Sequence, residues 1–389
     1  GILALGIEPD CIHLNDHHTA LVLAYLREVN GDNAVLQRAG TVFSIHNLAF
    51  QGVRPLRGSA SSLEAWFPEL GYDWHVVADP RWHDCINPMA VGIRLADRVH
   101  TVSRSYAQEI QKPSRKPGFY GGEGLEGDLA HAYASGRLIG ILNGCFYPPQ
   151  TVAPRASFAD LLALIRQAAI GWSAGGDTVP VAQFLAFARS LDRAGPGADP
   201  DVLLTSVGRV GEQKMLLLLQ PGSNGTSGLQ QILEGLGARG RYLLLGSGDG
   251  GFERALAAAS ARHGNFVFVN GYSDAIAQAL YAAGDLFLMP SSFEPCGLSQ
   301  MLAMREGQPC VVHAVGGLKD TVRHAENGFA FSGDAVEAQV DQFVETTLAA
   351  VAMKRENGPA WQRLCRNAAE TRFTWEATAE QYLQQLYAF

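Results

Sequence analysis

The sequence predicts an α/β protein built from two parallel-sheet domains, and three observations carry that prediction. A chain of 389 residues with 47% hydrophobic content is long enough for two sizeable cores. Only 17% of its residues are charged while 43 are glycine, a balance that suits buried parallel strands joined by glycine-bearing loops. Short apolar, β-branched runs alternate with helical stretches in two series, one on either side of residues 151–200.

In the first series Cys11 to Leu14 reads as a strand and Thr19 to Val29 as the helix after it. Thr41 to Ile45 is a strand, short, β-branched and ended by polar residues. Ile93 to Asp97 leads into a strand at Val99 to Val102 and a helix from Ser103 to Gln111. A glycine-rich loop, Gly118 to Gly127, precedes a helix near Leu129 to Ser135 and a strand at Leu138 to Leu142. Residues 151–200 differ in character. They hold an amphipathic helix at Phe158 to Ile170, a Gly175-Gly176 break, a helix near Val181 to Asp192 and the linker Gly195 to Pro200, the composition of a domain boundary. The second series places strands at Val202 to Val207, Tyr242 to Leu245, Phe266 to Val269, Leu286 to Met289 and Pro309 to His313, with helices between and a surface loop at Pro221 to Gly228.

The formal net charge of −8, without a basic run, excludes nucleic acid as the expected partner. Six scattered cysteines without a CxxC pair fit free thiols in a reducing cytoplasm. No run has the length of a membrane span, so no membrane partner is expected. The opening Gly1 to Gly6 reads as the end of a helix already under way, and an N-terminal truncation is expected.

The most informative stretch is Ser291-Ser292-Phe293-Glu294-Pro295-Cys296-Gly297-Leu298, directly after an apolar strand stopped by Pro290. In an open α/β sheet that loop lies at the carboxyl end of a strand, where ligands bind. Pro295 and Gly297 flank Cys296 and fix a tight turn that restrains Glu294. The competing reading of Glu294 is a helix-start acid that serves the macrodipole. Arg209 and Lys214, just after another strand, can converge on one anionic group such as a pyrophosphate, or can be plain solvated cations. Gly316-Gly317-Leu318, before a helix starting near Lys319-Asp320, reads as a phosphate cradle or as a tight turn, and Gly246 to Gly250 is similar. Asp16 and His46 end two strands of the first series, where they can face a polyhydroxylated ligand. A half-buried structural role is the alternative for His46. Asp16-His17-His18 is rejected as a metal set, because consecutive strand-end residues point different ways and no third cluster supports them. GxSxG and GxxxxGK[ST] are absent, and no GxGxxG follows the first strand, so hydrolase, ATPase and dehydrogenase readings lack their motifs.

Taken in order, these pieces resemble the bacterial glycogen synthase and plant starch synthase family of retaining glycosyltransferases. The strings are Asp16-His17-His18, Ile45 to Gly52, Ala96-Asp97-Arg98-Val99 with Thr101-Val102-Ser103, and Ile141-Leu142-Asn143-Gly144. They continue through Arg209 to Lys214, Gly271-Tyr272, Phe293 to Leu298 and Gly316 to Val322. The resemblance implies a GT-B fold, two facing Rossmann-like domains with a deep interdomain cleft. Its first domain would span 1–150, incomplete in its first strands, and be rejoined by the C-terminal helix 373–389, with helix Trp375 to Tyr387 crossing back. A linker at 151–200 and a nucleotide-sugar-binding domain at 201–372 would complete it. The activity implied is transfer of α-glucose from ADP-glucose to the non-reducing end of an α-1,4-glucan with retention, with no cofactor and no metal.

The resemblance also implies roles residue by residue. Arg209 and Lys214 would bind the distal phosphate and stabilise departing ADP, while Glu294 would hold the donor glucose. His46 would contact the 6-hydroxyl region, and Asp16 would sit near the acceptor. Tyr272 would pack on the base, and Gly316, Gly317, Leu318 and Thr321 would cradle the phosphates. Asn47, Asn143, Cys296 and Gly297 complete the expected substrate-binding set. Both Glu294→Ala and Lys214→Ala are expected to cut turnover while leaving the fold intact. Four features depart from the family pattern: the missing Lys-x-Gly-Gly-Leu loop, Ala90 where many members have Lys, Cys145 in place of an acid, and the 151–200 segment. Two other readings stand beside the first, a sucrose- or trehalose-type transferase and a catalytically weak glucan-binding paralogue.

Overall fold

The computed structural model describes residues 3–28, 31–147, 156–174, 192 and 199–389. They divide into two units, residues 1–144 with 373–389 and residues 145–372.

The first unit holds strands β1 (Cys11–Asn15), β2 (Gly40–Ile45), β3 (Arg54–Pro55), β4 (Cys85–Ile86), β5 (Arg98–Thr101) and β6 (Leu138–Gly140). A parallel sheet runs β1-β2-β5-β6, and β3 and β4 form a separate short antiparallel pair. Helix Pro88–Leu95 covers the sheet with seven of its eight residues buried. Proline in its first turn and the Asn87 side chain, which caps the Ala90 amide, fix where it starts. Gly92 lets it press on the sheet, since a Cβ there would lie 2.3 Å from the Phe43 ring.

The chain's end also belongs to this unit. Helix Trp375–Gln381 is capped by Thr374, and Thr378 Oγ1 donates to Leu142 O at 2.9 Å. Beyond it Leu386 is buried with Val42 and Ile141. Tyr387 OH donates to His13 Nδ1 at 2.7 Å, His13 Nε2 to Ser44 Oγ at 2.6 Å, and Ser44 Oγ to His100 Nδ1 at 2.8 Å. His100 Nε2 in turn donates to Ile141 O at 3.3 Å, which fixes one proton direction along the whole chain. Burial depresses His100 to a pKa of about 3, so both imidazoles in this relay are neutral.

The second unit holds β7 (Leu203–Val207), β8 (Arg241–Gly246), β9 (Phe266–Asn270), β10 (Leu286–Met289), β11 (Cys310–His313) and β12 (Phe329–Phe331). All are parallel, in the order β12-β11-β10-β7-β8-β9. The chain works outward from β7 to β9, then returns to place β10 on the other side of β7. That reversal creates a topological switch point between the carboxyl ends of β7 and β10. All four residues of β10 are buried, as expected for a central parallel strand.

Several elements differ from the sequence expectation. The first helix spans Asp16–Glu28, so Asp16, His17 and His18 form its opening turn and not a strand end. Helix Gly316–Thr321 begins before Lys319, and the last α-helix stops at Gln381, continuing as a wider π-type turn over Tyr382–Leu386. Helix Phe158–Ala174, inside the expected linker, packs beside helix Asp274–Ala283 of the second unit. The expected Gly175-Gly176 break, the Val181 to Asp192 helix apart from Asp192, and Gly195 to Ala198 lie outside the described residues. No helix among the described residues is long and apolar enough to cross a membrane.

Candidate functional site

At the switch point, the loop after β10 is tied to the helix after β7. In helix Glu212–Leu219 the Gln213 carbonyl accepts from Ser292 N at 2.8 Å, and Gln213 Nε2 donates to Phe293 O at 3.0 Å. From β11, His313 Nδ1 donates to Ser291 O at 3.0 Å while its ring stacks on Phe331 at 5.1 Å. Burial pushes the His313 imidazole down to a pKa of about 4. This frame holds Glu294 at 7% exposure. Its Oε2 accepts from Lys214 Nζ at 2.5 Å and from Ser291 Oγ at 3.0 Å. The next helix begins only at Ser299, so Glu294 is not a helix-start acid. Its buried carboxylate is instead matched by one cation and one hydroxyl.

Arg209 and Lys214 differ in their surroundings. Lys214 is committed to Glu294, whereas Arg209 is exposed and its guanidinium has no partner among the described residues. Tyr272, on the loop after β9, is 73% exposed. Its hydroxyl donates to Asp274 Oδ1 at 2.5 Å, and that bond to a carboxylate raises its pKa. In the Gly246 to Gly250 loop, Asp249 caps helix Gly250–Arg262 through the amides of Gly251 and Phe252.

The Gly316-Gly317 pair packs tightly on the Glu294 turn. Gly316 adopts φ +43, and a Cβ there would lie 2.0 Å from Glu294 O. At Gly317 a Cβ would lie 2.2 Å from Cys296 O. The Gly317 amide donates to Glu294 O at 3.0 Å and the Leu318 amide to Val315 O at 3.1 Å, so both donors are occupied. The glycines allow helix Gly316–Thr321 to pack against the Glu294–Cys296 turn and brace it. Leu318 and Thr321 are buried behind them, with Thr321 Oγ1 donating to Gly317 O at 2.8 Å. Gly297 takes φ +76 beside buried Cys296, and Gln300 Nε2 donates to Gly297 O at 2.9 Å and Cys296 O at 3.2 Å.

In the first unit β1 and β2 end together. Asp16 takes φ +52, and its Oδ1 accepts the His46 amide at 2.8 Å. His46 Nε2 donates to Asn15 Oδ1 at 2.9 Å. Asn47 Oδ1 accepts the Ala49 amide at 3.0 Å, which turns the chain after His46. His17 Nδ1 donates to Phe50 O at 2.9 Å, and its ring lies 3.8 Å from that of His18. Asn143 is half-buried beside Gly144, which packs on the Thr374–Trp375 backbone. Ala90 is fully buried inside helix Pro88–Leu95. No three His, Cys, Asp or Glu side chains among the described residues gather as a metal set. Sequence reasoning passed over Gln213, Ser291, His313 and Asn15, although the first two stand inside the strings it singled out.

Residues 2–131 match the family described as the starch synthase catalytic domain, and residues 227–348 match glycosyl transferases group 1. A glycogen synthase of Streptococcus equi subsp. equi is 34% identical over 390 residues, covering 97% of this chain and 73% of that protein. One from Lactiplantibacillus plantarum is 36% identical over 385 residues, 96% of this chain and 72% of its own length. The solved catalytic domain of starch synthase IV from Arabidopsis thaliana, bound to ADP and acarbose, aligns with TM-score 0.75 at 27% identity. That alignment covers 99% of this chain and 74% of the other. Sucrose-phosphate synthase from Thermosynechococcus elongatus shares the fold, at TM-score 0.54 and 19% identity over 99% of this chain and 74% of that one. A catalytic-domain match, relatives along nearly the whole chain and a common architecture agree, and the chain belongs to the glycogen and starch synthase family of GT-B glycosyltransferases.

Proposed function

We propose that this chain transfers α-glucose from ADP-glucose to the non-reducing end of an α-1,4-glucan with retention. The observation that carries the reading is the largely buried Lys214–Glu294 pair at the switch point, with Arg209, unpartnered among the described residues, on the neighbouring strand end. A diphosphate needs cations where its charge develops, and a sugar needs a fixed acceptor for its hydroxyls. In this reading Arg209 and Lys214 take the distal phosphate and Glu294 takes the donor glucose hydroxyls. The exposed ring of Tyr272 meets the base. His46 and Asp16, on the first unit, serve the 6-hydroxyl region and the acceptor. The bond from the anomeric carbon to phosphate breaks, the bond to the acceptor oxygen forms on the same face, and the departing phosphate takes up the acceptor proton. The two basic residues supply the positive charge, so the reading needs no metal or cofactor.

That starch synthase IV was solved with ADP supports an adenine nucleotide here. The test is incorporation of labelled glucose into glycogen from ADP-glucose and from UDP-glucose. Transfer preferring ADP-glucose is expected, and no transfer from either donor overturns the reading.

A further inference from the structure

We infer that Asn15 is a positioning residue that sets the tautomer and orientation of His46. This rests on the proposed task of His46 at the donor sugar. Four hydrogen bonds carry it. Asn15 Oδ1 can only accept, so at 2.9 Å it requires a proton on His46 Nε2 and leaves the lone pair of the neutral ring on Nδ1. The same histidine is held from its main chain by Asp16 Oδ1 at 2.8 Å. The Asn15 main chain is itself pinned, because its backbone N–H donates to Thr19 Oγ1 at 2.7 Å and Thr19 Oγ1 donates back to the Asn15 carbonyl at 2.8 Å. These bonds stabilise the sharp turn in which Asp16 takes φ +52. The ends of β1 and β2 are thus stapled twice, once through backbone and once through imidazole. With Nε2 occupied, the ring offers a sugar hydroxyl an acceptor at Nδ1, and a protonated ring would lose it.

The surroundings make this testable by pH. The titratable neighbours on the strands beneath are His13 and His100, which burial keeps neutral through the neutral range. The Asp16 carboxylate is bonded to the His46 amide and not to the ring.

The experiment combines long-range 15N–1H correlation of the histidine-labelled protein, with His46 assigned through His46→Gln, and pH profiles of kcat/KM for ADP-glucose. The wild type is expected to show the Nε2–H tautomer. Asn15→Ala should give a tautomer mixture and lower kcat/KM roughly three- to tenfold, the size of one hydrogen bond, without changing the thermal midpoint. Asn15→Asp should favour the protonated ring and move the acid limb of the profile to higher pH. An Nδ1–H tautomer in the wild type, or an unchanged tautomer and profile in both variants, overturns the inference. Should the tautomer respond while His46→Gln retains full transfer, the positioning role stands and the sugar-contacting task of His46 falls.

Discussion

Lys214 Nζ lies 2.5 Å from Glu294 Oε2, joining the helix after β7 to the loop after β10, with side-chain exposures of 17% and 9%. Position alone suggested that either residue could be replaced without loss of fold. The pair changes that. Lys214→Ala would leave a buried carboxylate with Ser291 as its one side-chain partner among the described residues, and removing one member of a buried pair costs about 3–5 kcal/mol. Partial exposure of Lys214 puts the expected loss near the lower end. Glu294→Gln should cost less, since the lysine can turn toward solvent. Lys214→Met with Glu294→Gln should recover much of the stability but none of the turnover. Urea denaturation of the singles and the double measures the coupling, and simple additivity would show the pair to be energetically idle.

Gly316→Ala tests whether the glycine pair braces Glu294. Its φ of +43 and the 2.0 Å approach to Glu294 O both oppose a side chain. The expected loss is about 2 kcal/mol or more, with turnover falling as the Glu294 turn shifts. Gly58→Ala, at φ +75 with nothing within 4 Å, isolates the conformational part and should cost only about 1 kcal/mol. Equal losses at the two positions would remove the bracing role.

Acid should loosen the same site through His313. Its folded pKa of about 4 lies below the ordinary 6.5 because burial disfavours the charged ring. The unfolded chain therefore binds the proton more readily. Stability from this group is complete above pH 6.5 and is lost as pH falls toward 4, by at most about 3 kcal/mol. His100, held at about 3 by burial, loses its stability across the same window from pH 6.5 downward and continues to do so below pH 4. His313→Asn, which keeps a donor for Ser291 O, should lessen the slope of the unfolding free energy between pH 6.5 and 4 by one proton's share, leaving that of His100. An unchanged slope would exclude His313 as the source.

What was legible in the sequence followed from local chemistry. The strand Leu286 to Met289 keeps its expected bounds, because an apolar run stopped by Pro290 leaves little choice. Glu294, Arg209 and His46 were singled out because strand ends in a parallel sheet are where side chains meet ligands. What was missed depends on partners distant in the chain. Nothing local to Phe329–Phe331 says that it pairs with β11, and nothing local to Gln213 says that its amide holds Phe293. The packing of Gly316-Gly317 on the Glu294–Cys296 turn was not legible, because a glycine pair before a helix has the same sequence whether it faces a phosphate or a neighbouring loop. The start of the first helix was misplaced because Asp16 needs left-handed backbone, which its residue type tolerates but does not announce.

Tyr272 separates nucleotide recognition from folding. With 73% of its surface exposed, the ring has no core role, and its hydroxyl is anchored on Asp274 at 2.5 Å. An exposed aromatic held in one orientation offers a flat face at little entropic cost. Base–aromatic stacking contributes about 1–3 kcal/mol, so Tyr272→Ala should raise the KM for ADP-glucose roughly tenfold while stability changes by less than about 0.5 kcal/mol. Tyr272→Phe keeps the ring and loses only the anchor, so most of the affinity should survive. Asp274→Asn, which keeps an acceptor for the hydroxyl, should behave like the wild type. If alanine leaves KM unchanged, the ring does not meet the base, and its exposure needs another cause.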